Sequence, residues 1–337
     1  MRKLLGSLRR HFNMSTHAER EFGIELDPRH ADAEYVRGLA EAGMNRLSLG
    51  IQDFDPRVQQ AVNRVQNIER VEEIMRGARA CGFRSISVDL IYGLPYQNVD
   101  TFTRTLEQVI LLNPDRIAAY SYAHLPQMFK AQRQLEAAAL PDAATKLALF
   151  GRTLEMLTSA GYVYIGMDHF ARADNELAFA QRAGTLQRNF QGYSTHRDCD
   201  IVGLGVSSIS SIGPVYSQNT RDLKTYYNMI DGGRLPVVRG MELDEDDQIR
   251  RELINMLMCH GKIDKIRFAH RHRLLFDAYF SDDLERLEML ARDGLVEIDT
   301  RKIKVTERGW LLVRHVAMCF DRYLHQSGNQ ARFSRVI

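Results

Sequence analysis

Five apolar, β-prone runs of this chain carry polar groups at or near their carboxyl ends, and those groups are the residues that could do chemistry. They are Glu25 with Asp27, Gln52 with Asp53, Asp89, Ala123 with His124, and Asp168 with His169. Asp89 is the sharpest case, a single carboxylate inside the run Ile86 to Ile91, which Gly93 and Pro95 then stop. A carboxylate in such a run must find a partner, because an unpaired buried charge costs several kcal/mol or shifts its pKa. That partner is either a neighbouring loop or a ligand. Recurrence of acceptors at the same place in successive units favours a shared binding rim over five separate structural bonds. The cysteines point elsewhere. Cys81, Cys199, Cys259 and Cys319 are widely spaced, and no two could be drawn from one short loop, so they read as reduced, mostly buried thiols rather than metal ligands. Gly203-Leu204-Gly205-Val206-Ser207-Ser208 is not a dinucleotide fingerprint, since Ser208 stands at its third glycine and no helix follows. It reads as a tight strand or loop packed beneath a ligand.

The elements that must position these groups follow from hydrophobic period. The spacing predicts an amphipathic helix over Met1 to Phe12, then strands over Phe22 to Asp27, Arg46 to Ile51, Ser85 to Tyr92, Arg116 to Ala123 and Tyr162 to Asp168. Helices are predicted between them, over Asp32 to Ala42, Ile68 to Cys81, Thr101 to Leu112 and Ala143 to Ala160, each closed by Gly or by an Asn-Pro turn. Alternation of this kind implies right-handed βαβ units and a parallel sheet, doubly wound or curled into a barrel, with ligands at the carboxyl ends of the strands. From about residue 240 the pattern changes to helices over Asp246 to Cys259, Arg267 to Phe276 and Asp282 to Asp293, a hairpin over Leu295 to Thr306, and a helix over Arg308 to Leu324. That order resembles a winged helix. The basic run His270 to Arg273 is followed at once by Asp282, Asp283, Glu285, Glu288 and Asp293, so a packing module is expected and not a nucleic-acid reader. The expected boundary splits the chain into 1–235 and 236–337.

At 337 residues, 45% hydrophobic and 26% charged, the composition is that of a globular protein, and a net charge of +2 gives no global field toward nucleic acid or membrane. No run of 18 apolar residues occurs, and the first residues lack a secretory signal, so a cytoplasmic location without membrane partners is expected.

Long ordered strings then carry a resemblance. Gly23-Ile24-Glu25-Leu26-Asp27-Pro28-Arg29, Asn45 to Phe54, Asp89-Leu90-Ile91-Tyr92-Gly93-Leu94-Pro95, Tyr122 to Pro126, Ile165 to Ala171, Arg188 to Tyr193 and Phe333 to Ile337 are similar to oxygen-independent coproporphyrinogen III oxidase, a branch of the radical S-adenosylmethionine enzymes. The likeness spans nearly the whole chain. It implies an α/β fold, a partial parallel βα (TIM-like) barrel followed by a mainly helical C-terminal domain with a small β-hairpin. It also implies a reaction of haem biosynthesis, in which a 4Fe-4S cluster cleaves S-adenosyl-L-methionine and the resulting radical starts loss of carbon dioxide from two propionates of coproporphyrinogen III. The cofactors implied are S-adenosylmethionine and the cluster, and the partners are the porphyrinogen and an unidentified electron donor, with the enzyme acting as a monomer. Carried over by position, the S-adenosylmethionine contacts are Glu25, Gln52, Arg64, Asp89, Ala123 and Ile209. For the porphyrinogen carboxylates, Arg172, Arg182, Arg188 and Arg197 are the expected cations near the barrel mouth.

The resemblance also carries a departure. The family's CxxxCxxC motif and its glycine-rich turn do not occur in these residues. The expectation is therefore an N-terminally truncated barrel and a chain inactive by itself, whether from a misplaced start, a pseudogene or a real short form. The alternative is a non-catalytic haem or porphyrin binder related to the haem-chaperone branch, against which the Arg188 to Tyr193 and Phe333 to Ile337 segments resemble the oxidase.

Overall fold

The structure is a computed structural model and describes residues 1–17, 19–196 and 199–326. The chain forms two compact units, one over Met1–Ala178 and the other beginning at Phe179.

In the first unit α1 (Arg2–His11) precedes a regular alternation: β1 (Gly23–Leu26), α2 (Ala33–Glu41), β2 (Arg46–Gln52), α3 (Pro56–Ala61), α4 (Ile68–Ala80), β3 (Ser85–Tyr92), α5 (Val99–Leu112), β4 (Arg116–Ser121) and α6 (Ala143–Ser159). Side-chain caps start the helices. Asp32 accepts from the Tyr35 amide at 2.7 Å, Asp142 accepts from Thr145 at 2.8 Å, and Asn98 with Thr101 closes a capping box. The strands β1 to β4 are parallel neighbours, and alternation gives the sheet two different faces. Leu47, Leu49, Ile51, Ile86, Val88, Leu90, Ile117 and Ala119 are buried on one face, and the helices bring Ile74, Phe102, Leu106 and Leu149 to the same core. Each of these side chains other than that of Ala119 contributes roughly 1.5–3 kcal/mol of burial. The register of the strands puts Glu25, Ser48, Gly50, Asp89, Ala118 and Tyr120 together on the opposite face. At the amino ends of the strands that face is held by ions: Arg46 pairs with Glu21 at 2.9 Å and with Glu176, which Arg116 also binds.

The last strand of this sheet departs from the expected fifth parallel strand over Tyr162 to Asp168. β5 (Tyr162–Gly166) stops at Gly166, and Met167 and Asp168 take left-handed backbone (φ 44 and 68). The chain therefore reverses into β6 (His169–Arg172), which is antiparallel and inserts between β4 and β5. Helix α7 (Glu176–Ala183) follows.

The second unit is built from short antiparallel pieces. β7 (Gln187–Asn189) and β8 (Gly192–Ser194) form a hairpin. β9 (Ile209–Ile212) and β10 (Val215–Asn219), then α8 (Leu223–Asp231) and β11 (Val237–Glu242), give a three-stranded sheet in the order β11-β10-β9. Then α9 (Glu245–His260) runs into β12 (Lys262–Asp264), α10 (Lys265–His272), α11 (Phe276–Tyr279), α12 (Ser281–Arg292), β13 (Val296–Ile298) and β14 (Lys302–Val305). The expected hairpin gains β12 as a third strand, in the order β12-β14-β13. The helix expected over Arg267 to Phe276 breaks at Arg273, whose backbone is left-handed (φ 54). The helix expected over Arg308 to Leu324 is three pieces, α13 (Glu307–Trp310), α14 (Val313–Met318) and α15 (Arg322–Gln326). Tertiary contacts override helical period here. Buried Asp283 is paired with Arg250 at 3.0 Å and Arg286 at 2.6 Å, and Arg322 is held by Asp244 and Asp246.

Gly309 shows how closely α13 approaches the rest of this unit. A Cβ there would lie 1.8 Å from the Leu295 carbonyl oxygen, a backbone atom that cannot step aside alone. Gly309→Ala is expected to lower stability by about 3 kcal/mol through overpacking. Urea unfolding checks this, and a midpoint equal to that of the parent chain would refute the close approach.

Candidate functional site

Asp89 lies half-buried on the open face of the sheet, where Ser48 Oγ donates to its Oδ2 at 3.2 Å. Its other oxygen accepts no hydrogen bond from the described residues. Burial pushes its pKa up to about 6, with the Ser48 bond opposing and the charge of Glu25 adding to the rise. Glu25, exposed on β1, is level with Ser48 in the register. Two carboxylates thus face one space, and the inner one is poised to change charge near neutral pH.

The end of β2 is strained in a way that aims side chains at the same face. Its register with β3 shifts between Gly50 and Gln52, and Gln52 takes φ 66, a left-handed conformation that costs a non-glycine residue on the order of 1 kcal/mol or more. Gly50 makes the arrangement possible. A Cβ there would meet Gln52 Nε2 at 2.8 Å and Arg64 Nη2 at 3.0 Å. Arg64 therefore lies across bare backbone, donating to the Gly50 carbonyl at 2.9 Å and pairing with Asp27 at 3.0 Å. Burial pushes the pKa of this guanidinium down, while Asp27 opposes the shift. Asp27 is held at about 2, chiefly by its hydrogen bond from Arg29.

Of the six residues carried over by resemblance, Glu25 stands on β1, Gln52 at the end of β2, Arg64 on the loop after α3 and Asp89 on β3, all in the first unit. Ala123 lies just past β4, and its carbonyl accepts from Gln132 Nε2 at 3.0 Å. Ile209 opens β9 in the second unit, opposite Gln218.

Other rim residues have structural employment. Asp53 is 2% exposed and does not face the open side: it accepts from the Asp55 amide at 2.6 Å, from Thr105 Oγ1 at 2.8 Å and from Gln97. Gln97 in turn accepts from the amides of Gly93 at 2.6 Å and Leu94 at 3.0 Å and donates to the Ile91 carbonyl at 2.8 Å. Asp53 and Gln97 thus tie the loop after β2 to the loop after β3. His169 Nδ1 is 2.6 Å from the Met167 carbonyl, and its Nε2 is 3.5 Å from the Tyr120 hydroxyl.

Of the arginines expected to meet substrate carboxylates, Arg172 is placed differently. Because β6 is antiparallel, Arg172 sits at the amino end of the sheet, bound to Asp174 at 3.2 Å and Asn113 at 2.6 Å, away from the rim. In the second unit Arg182 lies 4.6 Å from the Phe179 ring centroid and Arg188 5.7 Å from that of Tyr193. Arg197 lies outside the described residues. Besides Arg64, a second cation at the rim of the first unit is Lys146, in the first turn of α6. The available signal was topological, since a helix that follows a parallel strand starts at the strand's carboxyl end.

The thiols do not form a metal site. Cys81 is half-buried, Cys199 is exposed, and burial pushes the pKa of Cys259 up to about 12 and that of Cys319 to about 11. Among the described residues no three His, Cys, Asp or Glu side chains are placed to hold a metal ion.

Comparison with known proteins identifies relatives by family profile, by sequence and by structure. The Radical SAM superfamily profile matches residues 3–109, and the HemN C-terminal domain profile matches residues 243–312. The chain is 49% identical over 337 residues to oxygen-independent coproporphyrinogen III oxidase of Pseudomonas aeruginosa, covering 100% of this chain and 73% of that one. It is 44% identical over 318 residues to the protein of the same name from Thermostichus vulcanus, covering 94% of this chain and 98% of that one. Among solved structures it superposes on coproporphyrinogen III oxidase (HemN) from Escherichia coli, described as a radical SAM enzyme, with a TM-score of 0.93 and 47% identity over 95% of this chain and 74% of that one.

Proposed function

The chain belongs to the oxygen-independent coproporphyrinogen III oxidase family of radical SAM enzymes, and from that premise we propose that it serves the oxidative decarboxylation of coproporphyrinogen III to protoporphyrinogen IX. In that reaction two propionate side chains become vinyl groups, each with loss of carbon dioxide. The observation that carries the reading is Asp89, a half-buried carboxylate with an unused oxygen on the open face of a parallel sheet. An acceptor of that kind suits a hydroxyl or ammonium of S-adenosylmethionine.

The residues present fit S-adenosylmethionine. Glu25 and Asp89 supply acceptors, Gln52 an amide that can both donate and accept, Arg64 a cation for the carboxylate, and Ala123 a backbone group or an apolar wall for the adenine, while Ile209, in the second unit, is assigned by the resemblance alone. Bound there, S-adenosylmethionine would supply the one-electron chemistry, while the side chains orient it and exclude water. The residues present do not fit the 4Fe-4S cluster. Two of the four cysteines are buried with raised pKa, and no three described ligands converge. We propose further that the chain works as a monomer in the cytoplasm with a separate electron donor. No helix among the described residues is long and apolar enough to cross a membrane. The basic run of α10 is met by acid, Glu252 lying 3.1 Å from His272 and also binding Arg271, which supports a reading without nucleic acid.

Anaerobic titration of the 337-residue chain tests this. Saturable binding of S-adenosylmethionine by equilibrium dialysis and of coproporphyrin III by fluorescence quenching is expected, and absence of both would sink the reading. Incubation with iron and sulfide is expected to leave no charge-transfer absorbance after desalting. A retained cluster with four irons would show that these cysteines do converge.

A further inference from the structure

Lys146 stands at the rim of the first unit and is not among the S-adenosylmethionine contacts. Its position is fixed by the helix that carries it. Phe150, one turn later on α6, is buried and stacks on Tyr92 at 5.7 Å between ring centroids, which seats the helix on the end of β3. The i, i+4 spacing puts Lys146 on the same face of α6, one turn closer to the helix start and so beyond the last residue of the strand. There its stem crosses Gly93. A Cβ at Gly93 would lie 3.0 Å from Lys146 Cε and 3.4 Å from Cδ, so a residue without a side chain is what lets the lysine pass. The ammonium then donates to the Tyr122 carbonyl at 3.3 Å, bridging the ends of β3 and β4.

The electrostatics are unusual for this unit. Arg46, Arg64 and Arg116 are all ion-paired, whereas Lys146 makes no ion pair among the described residues. One long hydrogen bond to a neutral carbonyl uses one of three donors. Burial pushes the pKa of the amine down, and no nearby charge opposes it. A half-buried ammonium held over a substrate-facing rim without a counter-charge destabilises the empty protein and is offset only when an anion arrives. Asp89 lies on β3, three residues before its last residue Tyr92.

We propose that Lys146 is a carboxylate-binding site at the mouth of the sheet, and that it takes a propionate carboxylate of the porphyrinogen. This rests on the functional reading above. The carboxylate of S-adenosylmethionine has the same chemistry, and Arg64, on the far side of β3, is its better partner because it crosses the face beside Gly50. Tyr122, whose carbonyl meets the ammonium, has its ring 6.0 Å from that of His124, aromatic surface of the kind a macrocycle stacks on.

The test uses the 337-residue chain with Lys146→Met and Lys146→Arg, titrated with coproporphyrin III, its tetramethyl ester and S-adenosylmethionine. Lys146→Met is expected to bind coproporphyrin III on the order of 10-fold more weakly, with a shallower salt dependence, while Lys146→Arg stays within about 3-fold of the parent. The ester, which has no charge to meet, is expected to bind parent and Lys146→Met alike, and S-adenosylmethionine affinity is expected to be unchanged. Lys146→Met is also expected to melt no lower than the parent, because it removes an uncompensated charge. Unchanged coproporphyrin III binding in Lys146→Met would overturn the proposal and leave the functional reading standing. Equal losses for acid and ester would overturn it in favour of a packing role, and a loss confined to S-adenosylmethionine would move the lysine to the other carboxylate. If the parent chain binds no porphyrin, the functional reading fails and the proposal falls with it.

Discussion

Asp89→Asn is expected to bind S-adenosylmethionine on the order of 30-fold more weakly than the parent chain near pH 7.5 and only about 4-fold more weakly near pH 5, while being the more stable protein of the two at the higher pH. The affinity loss follows from charge. A hydrogen bond to an ionised acceptor is worth roughly 1.5–3 kcal/mol, and the amide keeps the shape and the Ser48 contact but not the charge. The pH dependence follows from the pKa of about 6. Below it the parent carboxyl is itself neutral, so parent and variant converge. Above it the parent regains the carboxylate and its affinity, and binding in the crossover range releases a proton. Stability runs the other way. The folded pKa lies above the usual carboxylate value, so the group's contribution is fully present below about pH 4 and is lost as pH rises through about 6. Removing the ionisable group is therefore expected to raise the stability of the ligand-free chain near pH 7.5 by on the order of 1–2 kcal/mol. Calorimetric titration in two buffers of different ionisation enthalpy, beside thermal melts, reads both effects. A variant that loses affinity because it is less stable, or whose affinity varies with pH as the parent's does, would remove Asp89 from the ligand site.

Residue patterns carried most of this sheet and less of its site. β2 and β3 alternate cleanly, so Leu47, Leu49, Ile86 and Val88 declare one buried face and the placement of Asp89 on the other follows from a period of two. Asp53 resembles Asp89 in sequence, but it lies past the shift at Gly50 and Gln52, where alternation no longer fixes direction, and it turns into Thr105 and Gln97 instead. Arg172 was misplaced because the strand reversal at Met167 and Asp168 depends on backbone angles that no composition rule supplies at non-glycine residues. Lys146 was passed over because it belongs to a helix, and only the seating of Phe150 on Tyr92 says which way that turn faces. In the second unit, helical period runs from Arg308 to Leu324, yet the helix breaks after Trp310 and again after Met318. Local propensity is a weak prior wherever backbone meets backbone.

The same contrast between two aspartates yields the second large effect. Asp53→Ala is expected to destabilise the chain by about 4 kcal/mol, because it removes one member of a buried network and leaves the Gln97 amide, the Thr105 hydroxyl and the Asp55 N–H without their acceptor. Asp53→Asn keeps one oxygen for Thr105 and the Asp55 N–H but turns an amide N–H₂ toward Gln97 Nε2, a donor facing a donor, and is expected to cost about 2 kcal/mol. Gln97 could relieve that clash only by rotating, and rotation would release the Gly93 and Leu94 amides that its oxygen now holds. Loosening therefore spreads from the end of β2 to the loop after β3, where Gly93 underlies Lys146. Binding should follow stability here, in contrast to Asp89→Asn: both Asp53 variants are expected to lose porphyrin and S-adenosylmethionine affinity in the order Ala, then Asn, in step with their urea midpoints. Full affinity in an Asp53→Ala chain that has lost several kcal/mol would show that the two rim loops hold their places without the tie.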